Sequence, residues 1–585
     1  MGRLKLLPLM LALGLSAACS QTPVVASQPK PNSDVKAEAP KASAEPAKSA
    51  ALESRLPKQE LTQELLFDFL VAEIAGQRGM VNVAKEGYLD LAKKTRDPRI
   101  ARRATEIAVF SRDQAAALDA AKLWIKLDPE APRAGQTLAA LLIGEGQIDE
   151  AVPYLESFLK SEDGAAAFLH LPMLFSKVKD TERALVVVKK LAQSYPQVPE
   201  AQYAVAQTAI SAGHRDEAID ALKEADKLRP GWEPAALLRA QLLARRSKAE
   251  GLAFLKDFLA DHPQARDVRL AYARLLVSAN QFAEARQQFN ELTIELPDNP
   301  DMSLAAGLLA LQMADLDEAE RQLTRAQELN FREPQTASYY LGQIAEERKQ
   351  LDRAMNLYQS VDEGEFVIPA RSRQAAILAH QGKLADARRL LTETPTQNDI
   401  QRIQLIQAEA NLLRDEKDFQ GVYKVLSDAL KKYPDAVDLL YDRAMAAERI
   451  NKLDVMEQDL RKVIRIKPDY AHAYNALGYV LADRTDRLAE AGELLEKALA
   501  LAPDDGFILD SMGWLYYRKG DLAKAQETLE RAYKNRPDAE IAAHLGEVLW
   551  MKGAKDEADK LWHASLQNNP QNEALIGTLK KFNKQ

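Results

Sequence analysis

Residues that could support catalysis or bind a metal are few and widely spaced in this chain. Histidine occurs at seven positions: His170, His214, His262, His380, His472, His544 and His563. No two of them are three or four residues apart, which is the spacing that places two metal ligands on one face of a helix. The one cysteine, Cys19, allows neither a disulfide framework nor a cysteine-rich metal site. These residue types predict no enzyme, no metal site and no cofactor.

Neither a nucleotide, nor a nucleic acid, nor another small-molecule substrate is predicted as a ligand. The Gly144–Gly146 segment begins like a phosphate-binding loop but lacks the Gly-Lys-Ser or Gly-Lys-Thr that completes one. A turn between two helices is the better interpretation of this segment. The net charge of −8 is spread along the chain, whereas a nucleic-acid surface needs a concentrated basic face.

The first nineteen residues have the pattern of a targeting segment. Arg3 and Lys5 precede the apolar run Leu6–Leu15, which is too short to span a bilayer. Small residues then lead directly to Cys19, and this arrangement resembles a bacterial lipobox. The resemblance implies that residues 1–18 are removed as a signal peptide and that Cys19 receives a lipid. The alternative is an ordinary secretory peptide with an incidental cysteine.

The segment after the cysteine is predicted to be a tether. Ser20 rather than aspartate follows Cys19, and the lipobox resemblance then implies sorting to the outer membrane with the folded body in the periplasm. Residues 19–51 are rich in Ala, Lys, Pro, Glu and Ser, contain no aromatic residue and show no periodicity, so they cannot form a packed core. A flexible chain of this length typically spans about 30 Å, which keeps the body near the membrane.

A repeated pattern organises the rest of the chain. A small residue recurs every 33, 34 or 35 positions, at Ala84, Ala117, Ala151, Ala184, Ala218, Gly251, Ala285, Ala319, Ala354, Ala387, Val422, Met456, Ala491, Ala525 and Ala558. The length alone would allow about four ordinary domains. A period near 34 residues instead predicts one continuous array of helix–turn–helix units, in which stacked neighbours share a core.

Three further columns support this register. Glycine, which favours the residue beyond a helix end, recurs five positions before the small residue, at Gly79, Gly146, Gly213, Gly382, Gly520 and Gly553. Proline, which stops a helix, recurs twelve positions after it, at Pro129, Pro196, Pro230, Pro263, Pro297, Pro434, Pro468, Pro503, Pro537 and Pro570. A third column predicts close helix approach at Gly307, Gly342, Gly478, Gly513 and Gly546.

The period and these columns resemble the tetratricopeptide repeat. The best matching unit, 506–538, carries Met512, Gly513, Tyr516, Gly520, Ala525, Leu529, Ala532 and Pro537. The resemblance implies an all-α fold, a tetratricopeptide-repeat superhelix (α-solenoid) of about fifteen units with a concave groove lined by the first helix of each pair. Residues 52–164 are predicted to be degenerate helical repeats, 165–571 the regular array and 572–585 a C-terminal capping helix.

In this family, positions 2, 5, 9 and 12 of the first helix face the groove, and in the last four units these positions are rich in aromatic residues. The predicted partner-binding residues are Tyr441, Met445, His472, Asn475, Tyr479, Phe507, Asp510, Trp514, Tyr517 and Trp550. Exposed aromatic side chains often anchor protein interfaces. For Tyr479, Trp514 and Trp550, packing between adjacent helices is the alternative. Trp562 falls on a second helix and is assigned to the core.

The anchor, the tether and the repeat array together resemble proteobacterial outer-membrane tetratricopeptide-repeat lipoproteins. The Asp510–Lys519 and Glu540–Gly553 stretches are similar to a pseudomonad group that includes the adaptor of the periplasmic carboxy-terminal processing protease. The resemblance implies a scaffold that binds this protease and presents peptidoglycan (cell-wall) hydrolases to it. Two alternatives remain: a structural component of an envelope-assembly or polysaccharide-export complex, and a hydrolase with catalytic residues scattered over the array.

Overall fold

The computed structural model describes residues 56–583 except 58, 161–163 and 177, and over this part of the chain the fold is entirely α-helical. Cys19, the signal peptide 1–18 and the tether 19–51 lie outside the described residues. The helices form two compact units, with the boundary between Leu329 and Asn330. Each unit is an α-solenoid of antiparallel helix pairs, which confirms the predicted fold class.

The N-terminal unit contains eight helix pairs, one of which has a broken first helix. Its helices are α1 Gln63–Gln77, α2 Val81–Thr95, α3 Pro98–Phe110, α4 Gln114–Leu127, α5 Pro132–Gly144, α6 Ile148–Leu159, α7 Gly164–Phe168, α8 Leu171–Phe175, α9 Thr181–Gln193, α10 Pro199–Ala212, α11 Arg215–Leu228, α12 Glu233–Arg246, α13 Lys248–Asp261, α14 Arg266–Ser278, α15 Phe282–Glu295, α16 Pro300–Gln312 and α17 Leu316–Glu328.

The C-terminal unit contains seven pairs and a final single helix. Its helices are α18 Pro334–Glu347, α19 Leu351–Gln359, α20 Val367–His380, α21 Leu384–Glu393, α22 Asp399–Asp415, α23 Phe419–Lys432, α24 Val437–Arg449, α25 Leu453–Ile466, α26 Ala471–Arg484, α27 Leu488–Leu501, α28 Gly506–Arg518, α29 Leu522–Asn535, α30 Ala539–Met551, α31 Lys555–Asn568 and α32 Glu573–Lys581.

The recurring small residue lies where the second helix of a pair packs against the first. The fourteen non-glycine residues at this position are at most 1% exposed, and Gly251 is also buried. The position holds alanine or glycine in all units but two, which have valine and methionine. The two helix axes approach closely there and leave little room for a side chain. The predicted proline column also holds, since Pro129, Pro434 and Pro503 each lie two residues beyond the end of a second helix.

The turn between paired helices uses the left-handed backbone region. The six predicted turn glycines have φ between 74° and 92°. Six non-glycine residues at the equivalent position adopt φ between 57° and 60°: Arg112, Asn280, Ala314, Lys349, Lys417 and Asn451. An L-residue in this region costs about 1–2 kcal/mol relative to a right-handed conformation, so the packing of the flanking helices holds these turns in place.

The close-approach glycines are required by sterics. A Cβ atom on Gly546 would lie 2.0 Å from the indole Nε1 of Trp562, and one on Gly513 would lie 2.6 Å from Cγ of Leu529. Neither neighbour can retreat, because Trp562 and Leu529 are both fully buried.

Two regions depart from the regular pattern. The first helix of the fourth pair is split into α7 and α8, and Pro172 opens α8 where it cannot donate a helical hydrogen bond. Helix α22 is longer than its counterparts at seventeen residues. No helix in the described part of the chain is both long and apolar enough to cross a membrane.

Candidate functional site

The predicted partner-binding residues lie on four first helices of the C-terminal unit, α24, α26, α28 and α30. The structure leaves His472 and Phe507 exposed, whereas Asp510 and Trp514 are buried at 6% and 8% exposure. The remaining six are half-buried: Tyr441, Met445, Asn475, Tyr479, Tyr517 and Trp550. Most of the predicted side chains therefore offer only an edge to a partner.

Trp514 is held from both neighbouring first helices. Its indole Nε1 donates a hydrogen bond of 3.0 Å to Oδ1 of Asp483 on α26. Its ring stacks on the imidazole of His544 on α30, with centroids 4.3 Å apart, and lies 4.9 Å from the ring of Tyr517. The indole is therefore packed between adjacent helices.

His544 connects α28 and α30 through a charged contact. Its Nδ1 lies 3.0 Å from both carboxylate oxygens of Asp510. Burial by itself lowers the pKa of His544, but the carboxylates of Asp510, Glu540 and Glu547 outweigh that effect and raise the pKa. The imidazole therefore carries its charge to a higher pH than an ordinary histidine.

The inner faces of α26 and α30 meet across α28. The ring of Tyr479 on α26 lies 6.1 Å from the imidazole of His544 on α30. Burial raises the pKa of Tyr479, and so do the nearby carboxylates of Asp483, Asp510 and Glu540. The three helices thus form a narrow cleft with α28 as its floor.

A second polar cluster lies deeper in the unit and includes the last helix. The hydroxyl of Tyr517 donates to Oε1 of Glu547 at 2.9 Å, and Nζ of Lys581 lies 2.6 Å from the same oxygen. Burial raises the pKa of Tyr517 to about 12, and the hydrogen bond to Glu547 adds to the effect. Glu547 is buried, so its two donors compensate for the loss of water.

The residues nearer α24 form an aromatic rim. Tyr441 contacts Tyr470 edge to face at 5.4 Å, and Tyr470 in turn lies 6.2 Å from His472. Met445, like Tyr441 and Tyr470, packs against the hydrophobic core of the C-terminal unit. Burial raises the pKa of Tyr441 to about 12, with smaller increases from Tyr470 and Asp442.

Phe507 contacts a cation at the surface, whereas Trp550 contacts other aromatic rings. The guanidinium of Arg536 lies 4.2 Å from the ring centre of Phe507, a cation–π contact at the surface. The ring of Trp550 stacks on that of Trp562 with centroids 5.8 Å apart, and it lies tilted 5.5 Å from the ring of Phe582, within the C-terminal core. Trp562 is fully buried and donates to the carbonyl of Ala543, which confirms its assignment to the core.

Sequence reasoning missed two residues of this region, Asp483 and His544, whereas Glu540 occupies position 2 of α30 and so is one of the groove positions. The family pattern places position 5 of α30 at Ala543, one residue before His544. A signal was present, because Glu540 and His544 are four residues apart and so share one face of a helix. Asp483 likewise follows the assigned position 12 of α26 by one residue.

The described residues contain no group of three or more His, Cys, Asp or Glu placed to hold a metal. What the cleft offers is a set of aromatic surfaces and hydrogen-bond acceptors. The carboxylate of Glu540 has no hydrogen bond or ion pair within the described chain, and Oδ1 of Asn475 is buried without a hydrogen-bond partner. Of these two groups, only the exposed side chain of Glu540 is accessible to a donor group of another molecule.

A long-range contact connects the end of the C-terminal unit to its middle. Oε1 of Glu573, at the start of α32, lies 2.7 Å from Nζ of Lys417, and its other oxygen lies 3.5 Å from Nη2 of Arg449. All three side chains are at least half exposed. Residues 156 positions apart thus meet at the surface of one unit.

The tetratricopeptide-repeat family matches this chain over residues 177–242, 243–310, 304–366, 469–538 and 511–573. A tetratricopeptide-repeat-containing protein of Pseudomonas aeruginosa is 36% identical over 508 residues, which cover 86% of each chain. Cellulose synthase operon protein C of Xanthomonas axonopodis pv. citri is 27% identical over 61% of this chain and 22% of its own length. A thermophilic tetratricopeptide-repeat protein of Thermus thermophilus, known from a crystal structure, is 21% identical over 30% of this chain and 97% of its own, with a TM-score of 0.28.

Proposed function

Because the chain belongs to the tetratricopeptide-repeat family, whose repeats serve as scaffolds for protein–protein interaction, we propose that it is an adaptor held at the periplasmic face of the outer membrane by a lipid on Cys19. The observation that carries the binding role is the cleft of α26, α28 and α30. There, the half-buried ring of Tyr479 lies near the imidazole of His544, and Glu540 is exposed on the same face of α30 as His544. Rigid aromatic anchors bind partners at low entropic cost.

The partners proposed are a periplasmic carboxy-terminal processing protease and its peptidoglycan-hydrolase substrates. Support comes from the resemblance of Asp510–Lys519 and Glu540–Gly553 to the pseudomonad adaptor group. The tether 19–51 adds a physical reason, since a protein confined near the membrane raises the effective concentration of two partners that bind it together. The adaptor itself needs no catalytic group in this mechanism.

The test is site-directed photo-crosslinking in living cells. A photoreactive phenylalanine analogue replaces His472, which is exposed at the rim of the cleft, and the crosslinked proteins are identified by mass spectrometry. We expect the protease and at least one cell-wall hydrolase. The matched control places the analogue at Glu496, which is exposed on the second helix α27, and should not crosslink to them. Recovery of an assembly complex without any protease contradicts the adaptor role.

The anchor is tested separately. Replacement of Cys19 by Ser should release the protein into the soluble periplasmic fraction, while leaving the repeats folded. Continued sedimentation with outer membranes would contradict lipidation.

A second candidate function is that of a component in a polysaccharide-export or envelope-assembly complex. It is favoured by the similarity to cellulose synthase operon protein C over 61% of this chain. The same crosslinking experiment separates the two functions, because this candidate expects synthase or export subunits at His472.

A further inference from the structure

Helix α1 carries a second apolar face that no other part of the described chain covers. Its inner face packs on the unit through the buried Ala72 and Ala75. On the side away from these alanines, large apolar residues recur at the i, i+1, i+4, i+5 and i+8 spacing of a single helix face. They are Leu66, Phe67, Leu70, Val71 and Ile74, each between 41% and 67% exposed. We call these five residues the outer face of α1.

Apolar surface continues past both ends of the outer face. Leu61, just before the helix, is 74% exposed. At the other end, Gly76 lines the cavity of about 320 Å³ together with Phe110, which is 77% exposed. Contiguous apolar surface of more than a few hundred Å² is rare on a monomer. The residues 19–51, whose only large apolar side chains are three valines, supply no apolar run to cover it.

The outer face has the same order of residue types when it is read from either end. Its midline is formed by Gln63, Phe67, Leu70, Ile74 and Gln77. The steps of four and three residues between them are typical of a seam between two packed helices. Antiparallel pairing of two copies of α1 about Leu70 brings Leu66 onto Ile74 and Gln63 onto Gln77, apolar to apolar and amide to amide. A two-fold symmetric interface requires such self-complementarity.

The two ends of α1 also carry opposite charges. Glu64 in the first turn and Arg78 after the last turn are both exposed and lie two heptads apart, so they share one flank of the seam. Nζ of Lys94 lies 2.8 Å from Asp90 and 3.0 Å from Asp68, but 3.9 Å from Glu64. Arg78 has no ion pair within the described chain. Because a two-fold axis maps each flank onto itself, Arg78 of each copy faces Glu64 of the other in the antiparallel pair.

We propose that the outer face of α1 binds the same face of a second copy of this chain, antiparallel and with the two-fold axis at Leu70. The pair removes on the order of 1,000 Å² of surface from water, at the lower end for specific interfaces. We therefore expect a dissociation constant of about 1–50 µM. Below this concentration α1 is uncovered, and the loss of one exposed ring there leaves the stability of the monomer unchanged. The proposal goes beyond the adaptor function, because pairing gives each assembly two copies of every binding surface.

The experiment is analytical ultracentrifugation of the mature chain with Cys19→Ser, between about 0.5 and 100 µM. We expect a monomer that becomes a dimer as the concentration rises. Leu70→Glu should weaken the dimer at least tenfold, because it places two carboxylates at the axis. Circular dichroism should not change, since the Leu70 side chain is already 46% exposed. The matched control is Val186→Glu on α9, where valine is 53% exposed, and it should change the dissociation constant by less than a factor of two.

Disulfide crosslinking tests the direction of the pairing. The chain with Cys19→Ser contains no cysteine, so one introduced cysteine reports one position. Leu70→Cys should form a covalent dimer on mild oxidation, because the axis brings the two sulfur atoms within reach. Leu66→Cys mixed with Ile74→Cys should form the mixed dimer faster than either variant forms its own. Glu496→Cys, exposed on α27, should form none.

Charge reversal tests the pairing of the helix ends. Arg78→Glu should weaken the dimer about threefold or more, and the addition of Glu64→Lys to the same chain should restore it. Four results overturn the proposal: a monomer at every concentration, a dimer unaffected by Leu70→Glu, Leu66→Cys that links to itself as fast as to Ile74→Cys, or a double charge variant no better than Arg78→Glu. All of these measurements use the purified chain, so they do not depend on which partners are recovered in cells.

Discussion

The outermost helix of the N-terminal unit exposes its apolar side chains, whereas the outermost helix of the C-terminal unit buries them. On α1, Phe67 is 67% exposed and Leu66, Leu70 and Ile74 are each more than 40% exposed. On α32, by contrast, Leu575 is fully buried and Leu579 nearly so. Repeat arrays need a polar outer face at each end. The two ends of the described array therefore differ in how far the terminal helix buries its apolar side chains, and the capping role of α32 stays a prediction.

The two units also differ in how closely the side chains of neighbouring helices pack. In the C-terminal unit, side chains of α26, α28 and α30 meet and hydrogen-bond with one another. In the N-terminal unit, two adjoining cavities of about 440 and 320 Å³ remain open beside α3. They are lined partly by Arg102, Arg103, Arg133 and the exposed Phe110. The helices around α3 and those around α28 therefore differ in how closely the side chains of neighbouring helices meet.

The largest effect is expected from Trp562→Ala. Trp562 is fully buried, stacks on Trp550 and Phe582, and donates to the carbonyl of Ala543. Its loss should lower the local free energy of unfolding by about 3–5 kcal/mol. Hydrogen exchange of α30–α32 is the appropriate measurement, because a long repeat array does not unfold in two states.

The matched control for this substitution is Phe67→Ala in α1, the first described helix. It removes a ring that is already two-thirds exposed, so the protection of α1 and α2 should change by less than about 0.5 kcal/mol. Similar losses in α1 and α30–α32 would mean that the difference in apolar burial between the two terminal helices has no effect on stability.

A pair of Gly→Ala substitutions should give smaller effects of opposite sign. On Gly546, the new Cβ would lie 2.0 Å from Nε1 of Trp562, and the clash should cost about 1–3 kcal/mol. On Gly135 in α5, no atom lies within 4 Å of the new Cβ. There, alanine should stabilise the helix by about 0.5–1 kcal/mol through its lower conformational entropy when unfolded.

Hydrogen exchange of the helix that carries each glycine measures both effects. Circular dichroism should show equal helix content for the two variants and the wild type at low temperature. A stabilising Gly546→Ala, or a destabilising Gly135→Ala, would show that the difference in packing between the two units does not control their stability.

Much of the fold could be predicted from the sequence because every copy of the repeat must meet the same packing requirements. The small residue at Ala319 or Ala525 is required by helix contact, and each copy of the unit reports the same requirement. The turns at Ala314 and Lys417 were not predictable from residue type, since neither residue favours φ near 59°. The split between α7 and α8 was also missed, although Pro172 is a physical reason for it.

The site was less predictable than the fold, for a geometric reason. Positions 2, 5, 9 and 12 predict the direction in which a side chain points from its own helix. They do not predict which side chains of the neighbouring helix pairs will cover it. Trp514 is buried because Asp483 and His544 reach it from neighbouring helices. Only the curvature of the unit brings Tyr479 of α26 to His544 of α30, and the sequence pattern does not encode that curvature. That these residues bind a partner stays a prediction.

The smallest effect is expected from pH, and it should be confined to the C-terminal unit. The folded-state pKa of His544 is raised above its ordinary value of 6.5, because Asp510, Glu540 and Glu547 outweigh the effect of burial. The charged pair with Asp510 therefore stabilises fully below pH 6.5, and its contribution is lost as the pH rises through the folded-state pKa.

Tryptophan fluorescence during urea unfolding measures this pH effect, since three of the five tryptophans, Trp514, Trp550 and Trp562, lie in the C-terminal unit. We expect the urea midpoint of that signal to fall above pH 6.5 in the wild type and to change much less in Asp510→Asn, which removes the charge that sustains the imidazolium. His472→Gln serves as the control, because His472 is exposed and its loss should leave the pH profile unchanged. A wild-type midpoint that stays constant or rises over this range would mean that the contact between α28 and α30 is held by packing alone. The distinction between a charged inner face in the C-terminal unit and an open one in the N-terminal unit would then have no energetic consequence.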